Sequence, residues 1–127
     1  AFTVNVPSEK YVKEADYVGI FSGKEIDKFP ETKLTPKKSD LVNAPYIHEF
    51  PYALECKLIK TIELGIPTMF IGEILNIKAS EEILTNNRPD IEKVRPLLFG
   101  SFGSNNYYGM GENLGRAFSI GKNLHNK

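Results

Sequence analysis

Tryptophan is absent from the sequence, and cysteine occurs once, at Cys56. A lone thiol cannot close an internal disulfide, and it suits a reducing, cytoplasmic compartment. Histidine occurs only at His48 and His125, too far apart for the close spacing of metal ligands, so no metal site is expected. Net charge is missing as well, since sixteen basic residues balance sixteen acidic ones. The longest basic run is Lys37-Lys38, which argues against a nucleic-acid surface and for a small or neutral partner. Charges and prolines break every apolar stretch before it reaches the thickness of a bilayer, so no membrane partner is expected.

What remains is a globular balance, 41% hydrophobic and 25% charged over 127 residues. That is enough for one domain, residues 1–127, around one core. In "AFTVNVP", Phe2, Val4 and Val6 alternate with Thr3 and Asn5, which predicts a half-buried strand. Such a strand needs a neighbour, either later in the chain or ahead of Ala1. Ser8 is a candidate N-cap for a helix over about 8–18, with Tyr11, Ala15 and Val18 as its apolar stripe. Gly23 offers a stop to that helix.

In "FSGKEIDKF", Ile26 and Phe29 lie three apart, so one helical turn ended by Pro30 would press both inward. Lys28 then has two readings, a solvated surface charge or a cation facing an anion beside Ser22 and the backbone amides around Gly23. These residues alone leave both open. Between 30 and 52 four prolines and the cluster Lys33, Lys37 and Lys38 predict a long ordered loop.

The strongest local pattern runs from Ala53 to Ala79. Leu54, Cys56 and Leu58 alternate with Glu55 and Lys57, Met69 and Ile71 begin a second alternating run, and Gly65 to Pro67 break the two apart. This predicts a long β-hairpin. Ile59, Ile62, Phe70 and Ile74 make its second face partly apolar, which suits a strand pair that closes a barrel on one side and meets another element or a second subunit on the other. Ser80 can cap a short turn, and "PDIEKVRPLLF" allows another with Ile91, Val94 and Leu98 on one side. Six of the ten glycines fall from Gly100 onward, beside Tyr107 and Tyr108, so backbone freedom and aromatic surface coincide there.

Catalytic constellations are scarce. Gly109, Gly111 and Gly115 miss the dinucleotide spacing by one residue and have no βαβ context. Cys56 lies in an alternating strand and reads as core packing more readily than as a nucleophile with His48. The pairs Glu9-Lys10, Asp27-Lys28 and Glu92-Lys93 read as solvated faces. Tyr107 and Tyr108 suit the rim of a core or a dimer interface, with stacking on a ring as the alternative. No catalytic residue is assigned.

The segments "AFTVNVPSEKYVKEADYVGIFSGKEIDKF", "LVNAPYIHEFPYALECKLIKTIELG", "FIGEIL" and "YYGMGENLGRAFSIGKNL" together resemble the later part of flavoredoxins, members of the flavin reductase family. The resemblance implies a mainly β fold, a split β-barrel with short helices, lacking the family's N-terminal strands ahead of Phe2. It implies a homodimer holding FMN near the subunit interface, with NAD(P)H as electron donor or with electrons relayed through the bound flavin. Matched by motif, Lys28 of "DKF" falls where the family meets the FMN phosphate, with Ser22 and Gly23 beside it, and Phe99 of "LLF" falls where an aromatic lies against the flavin. Pro67 stands where the family has a histidine at the hairpin turn. The family's asparagine, tryptophan and threonine contacts belong to strands before Phe2, so residues 1–127 are expected to supply only part of the pocket. Hydride transfer is the cofactor's own chemistry and asks for no protein acid or base. The competing class is a non-catalytic, dimerising β-domain that has lost flavin binding.

Overall fold

The computed structural model describes residues 1–125. Strand β1 covers Phe2–Val6, and a 3-10 turn at Glu9–Tyr11 leads into helix α1, Val12–Ile20. Helix α2, Lys28–Thr32, is followed by strands β2, Pro36–Lys38, and β3, Pro45–Ile47. Strands β4, Tyr52–Glu63, and β5, Thr68–Ala79, form the long hairpin. A 3-10 turn at Glu81–Ile83 precedes strands β6, Leu84–Thr85, and β7, Arg88–Pro89, then helix α3, Ile91–Val94. Strands β8, Leu98–Gly100, and β9, Asn106–Tyr108, and a 3-10 turn at Lys122–Leu124 complete a mainly β architecture with short helices.

One antiparallel sheet of order β1-β4-β5 organises the molecule, and β2–β3, β6–β7 and β8–β9 are two-stranded ribbons around it. The opening strand pairs with a later one, Phe2 opposite Cys56 and Val6 opposite Tyr52. Its polar residues do not face water as simple alternation predicts. Thr3 Oγ1 donates to Pro45 O at 2.6 Å, and Asn5 Oδ1 accepts from Ile47 N at 2.9 Å. The polar side of β1 therefore supplies the hydrogen bonds that dock β3, while Val4 is exposed.

The hairpin follows its sequence pattern closely at the ends, with Gly65 at φ +91° in the turn and Leu64 N donating to Pro67 O at 3.1 Å. Its inner pattern departs from strict alternation. Register shifts fall between Glu55 and Cys56 and between Leu58 and Lys60, and each rotates the strand so that successive residues no longer alternate faces. Glu55 and Cys56 are both buried as a result, with Glu55 at 0% exposure. β1 covers β4 only as far as Cys56, so the remainder projects as an arm on which Leu58, Ile59, Met69, Phe70, Ile71 and Ile74 are exposed.

The core sits at the base of the arm, where Leu34, Phe50, Ala53, Cys56, Ile83 and Val94 are buried and Tyr11 and Phe50 rings meet at 5.3 Å. Gly72 leaves room there for Phe2, since a Cβ on Gly72 would stand 2.5 Å from Phe2 Cζ. Gly72→Ala is expected to push Phe2 off β5 and cost about 1–3 kcal/mol of stability, measurable by urea unfolding.

Four local expectations are corrected. Ser8 makes no side-chain cap; it is buried in a bridge to Pro96. Pro30 does not end a turn but lies in the first turn of α2, where its missing N–H would have had no partner in any case. Residues 30–52 are not one loop, because β2 and β3 pair within them, Pro36 opposite Ile47. Of the stripe expected over Ile91, Val94 and Leu98, only Val94 is buried; Ile91 is exposed on α3, and Leu98, which opens β8, is exposed too.

Candidate functional site

Lys28 opens α2 one residue after Asp27, whose Oδ1 accepts from Phe29 N at 3.3 Å as the helix N-cap. That start directs the lysine back onto α1, where Nζ donates to Val18 O at 2.6 Å. A cation at the C-terminal turn of a helix satisfies a carbonyl that lacks an intrahelical partner. An ammonium has three donors, so the bond to Val18 leaves capacity for an anion. Gly23 and Lys28 border an open depression of about 480 Å³ running along residues 23–29, with Ser22 adjoining Gly23 in the chain.

The amides around Gly23 are not offered to a ligand as expected. Lys24 N donates to Ser22 Oγ at 3.3 Å, and Glu25 N and Ile26 N each donate to Ser22 O at 3.1 Å. The turn thus uses the amides of residues 24–26 itself, leaving the Gly23 amide, the Ser22 hydroxyl proton and the Lys28 ammonium as candidate anion-binding groups. A Cβ at Gly23 would meet nothing within 4 Å, so open space on this side admits a ligand group.

Phe99, a residue 58% exposed, lies on β8 directly opposite Tyr107 of β9, its ring 5.3 Å from the Tyr107 ring. Tyr107 Oη donates to Asp16 Oδ1 on α1 at 3.1 Å. Burial, and then the hydrogen bond to Asp16 and its charge, push the Tyr107 phenol above its ordinary value of 10.0. Helix α1 thus joins the two parts of the site, through Val18 to Lys28 and through Asp16 to Tyr107 and Phe99. Pro67 stands apart from them at the tip of the arm, roughly 25 Å of strand beyond the cover of β1.

Long-range polar groups that the sequence pattern does not mark complete the frame. Glu9, expected beside Lys10 on a solvated face, instead accepts from Arg95 Nε at 2.6 Å, and this bond, with the neighbouring charge, holds its carboxyl below the usual range. A Cβ on Gly109 would collide with the Glu9 carboxylate, so the segment leaving β9 passes close beside that pair. Glu55 accepts from Asn76 Nδ2 at 2.7 Å and from Asp40 N at 2.9 Å. Asp40 also pairs with Lys78, whose ammonium lies 5.0 Å from the centre of the Tyr46 ring. The only sequence clue to this cluster is a glutamate amid Leu54, Cys56 and Leu58. Among the described residues no group of three or more His, Cys, Asp or Glu could hold a metal ion, and no helix is long and apolar enough to cross a membrane.

The family model for the flavin reductase like domain matches residues 1–104. The chain belongs to the flavin reductase-like family. Among solved structures it is similar to the flavoredoxin of Desulfovibrio vulgaris (Miyazaki F), with 49% identity and a TM-score of 0.87, over 94% of this chain and 64% of that one. It is also similar to the flavoredoxin of Methanosarcina acetivorans, with 35% identity and a TM-score of 0.88, over 96% of this chain and 64% of that one. An uncharacterized protein of Archaeoglobus fulgidus is 34% identical over 104 residues, which are 82% of this chain and 58% of that protein. The sheet and ribbons described above are therefore a flavin reductase-like split barrel, and the chain spans a little under two thirds of the length of these relatives.

Proposed function

We propose that the protein binds FMN and passes electrons through it, as a flavin reductase or flavoredoxin with NAD(P)H as a donor. The observation that carries this reading is the convergence on α1 of an ammonium with donors to spare and an exposed aromatic ring. Lys28 would neutralise the phosphate, with the Ser22 hydroxyl and the open backbone at Gly23 beside it. Phe99, backed by Tyr107, offers an apolar face to the ring system. When bound, the flavin supplies the hydride and electron chemistry. The chain's own residues hold the phosphate, shield one side of the site from water and leave proton transfer to solvent, in keeping with the lack of an assigned acid or base.

The cytoplasm is the proposed location, on the strength of the single buried thiol. The arm supports a homodimer, because its exposed apolar residues on both faces need cover that this protomer does not give. The same arm favours the second reading, a non-catalytic dimerising β-domain. Titration of the full-length protein with FMN decides between them. Quenched flavin fluorescence at one FMN per protomer, with NAD(P)H bleaching the yellow colour, supports the electron-transfer reading, and unquenched FMN at any ratio supports the second.

Pro67 offers neither a side-chain donor nor a backbone N–H. Pro67→His is expected to tighten FMN binding a few-fold, about the worth of one hydrogen bond, in the same titration. Weaker binding would show that the turn has been rebuilt around proline.

A further inference from the structure

Phe99 sits on a strand of three residues paired with another of three. Ribbons of this size have little stability of their own, yet an aromatic that packs against a planar ligand must be held to within a fraction of an ångström. The bond that supplies this rigidity crosses 91 residues of sequence, from Tyr107 Oη to Asp16 Oδ1. Both residues are half-buried. The Tyr107 ring lies 5.3 Å from that of Phe99, tilted at 46°, so Phe99 packs against a ring whose hydroxyl is tied to α1. Arg95 and Glu9 pin the start of β8 to the same stretch of chain that opens α1, and Ser104 Oγ closes the β8–β9 turn on Gly100 O at 2.9 Å.

We infer that Asp16 and Tyr107 are positioning residues for Phe99, locking the ring-facing half of the site to the same helix that holds the phosphate-facing lysine. The inference rests on the flavin reading above. Asp16 lies two residues before Val18, whose carbonyl takes Lys28 Nζ, so one helical turn sets the spacing between cation and ring. The phenol, raised above its ordinary value, stays protonated and remains a donor at neutral pH. A simple staple would change only stability, whereas a positioning pair also changes how the flavin is held.

Residues 1–127 hold no tryptophan, so Phe99→Trp adds an indole at the position of interest, read as the difference from the same protein without it. In full-length protein carrying that change, Asp16→Ala and Tyr107→Phe are each expected to lower indole anisotropy, whereas Asp16→Asn, which keeps an acceptor, preserves it. In protein with Phe99 restored, the first two changes should weaken FMN binding about fivefold, in the range of one lost hydrogen bond, and alter the quenching of bound flavin. Asp16→Asn should bind as the parent does. Unchanged anisotropy in every variant, or lowered anisotropy with parental FMN affinity and quenching, overturns the inference. Failure of the parent itself to bind FMN overturns the flavin reading, and the inference with it.

Discussion

Replacing Glu55 by alanine is expected to remove about 2–5 kcal/mol of stability, the cost of leaving two buried donors unsatisfied at about 1–3 kcal/mol each. Glu55 is fully buried, and its carboxylate is the acceptor for both Asn76 Nδ2 and Asp40 N. Truncation leaves two donors facing a void, while Lys78 keeps its partner Asp40. Glu55→Gln, which keeps the shape and loses the charge, should cost less, about 1–3 kcal/mol. Urea unfolding of the two variants measures both values.

The pH dependence gives an independent handle on the same cluster. Burial alone would raise the Glu55 carboxyl, but the bonds from Asn76 and Asp40 N and the Lys78 charge outweigh it and hold the group below its ordinary value of 4.5. A carboxyl lowered in the folded state contributes stability that is fully present above about pH 4.5 and is lost as pH falls through its folded value. The parent should therefore lose stability on acidification more steeply than Glu55→Gln. Parallel acid curves for the two proteins would locate the acid-sensitive group elsewhere.

Lys28→Ala is expected to weaken FMN binding by about 1.5–3 kcal/mol, the range for a charge-assisted hydrogen bond to an anion. Lys28 also caps Val18 O, so alanine removes two interactions at once. Lys28→Gln separates them, because its amide still donates to a carbonyl but carries no charge. On this reading both variants lose most of the affinity for FMN, only alanine lowers the melting temperature appreciably, and riboflavin, which has no phosphate, binds the parent and the glutamine variant alike. Salt should weaken FMN binding to the parent and have less effect on the variants. If Lys28→Gln binds FMN as tightly as the parent, the lysine is a helix cap and nothing more.

The β4–β5 hairpin was legible in the sequence because strand periodicity and turn chemistry are local, each residue's place following from neighbours two to four positions away. The same holds for the opening strand and for a cysteine placed to pack in the core. Candidate site residues came from motifs whose order along the chain matches a family, which named Lys28, Ser22, Gly23, Phe99 and Pro67 without saying what holds any of them.

Tertiary structure alone decided the rest. Glu55 turns inward because a register shift falls beside it, and a shift depends on how two strands meet, which neither strand's alternation records. Glu9 finds Arg95 across 86 residues and Tyr107 finds Asp16 across 91, pairings that exist only once the short ribbons have been laid against α1. Lys28 reaches Val18 O because the turn from Ser22 folds α2 back onto the end of α1. Local periodicity states which face of an element is apolar, whereas the partners of a charge are set by the relative placement of elements, and in this protein that placement joins cation and ring through one helix.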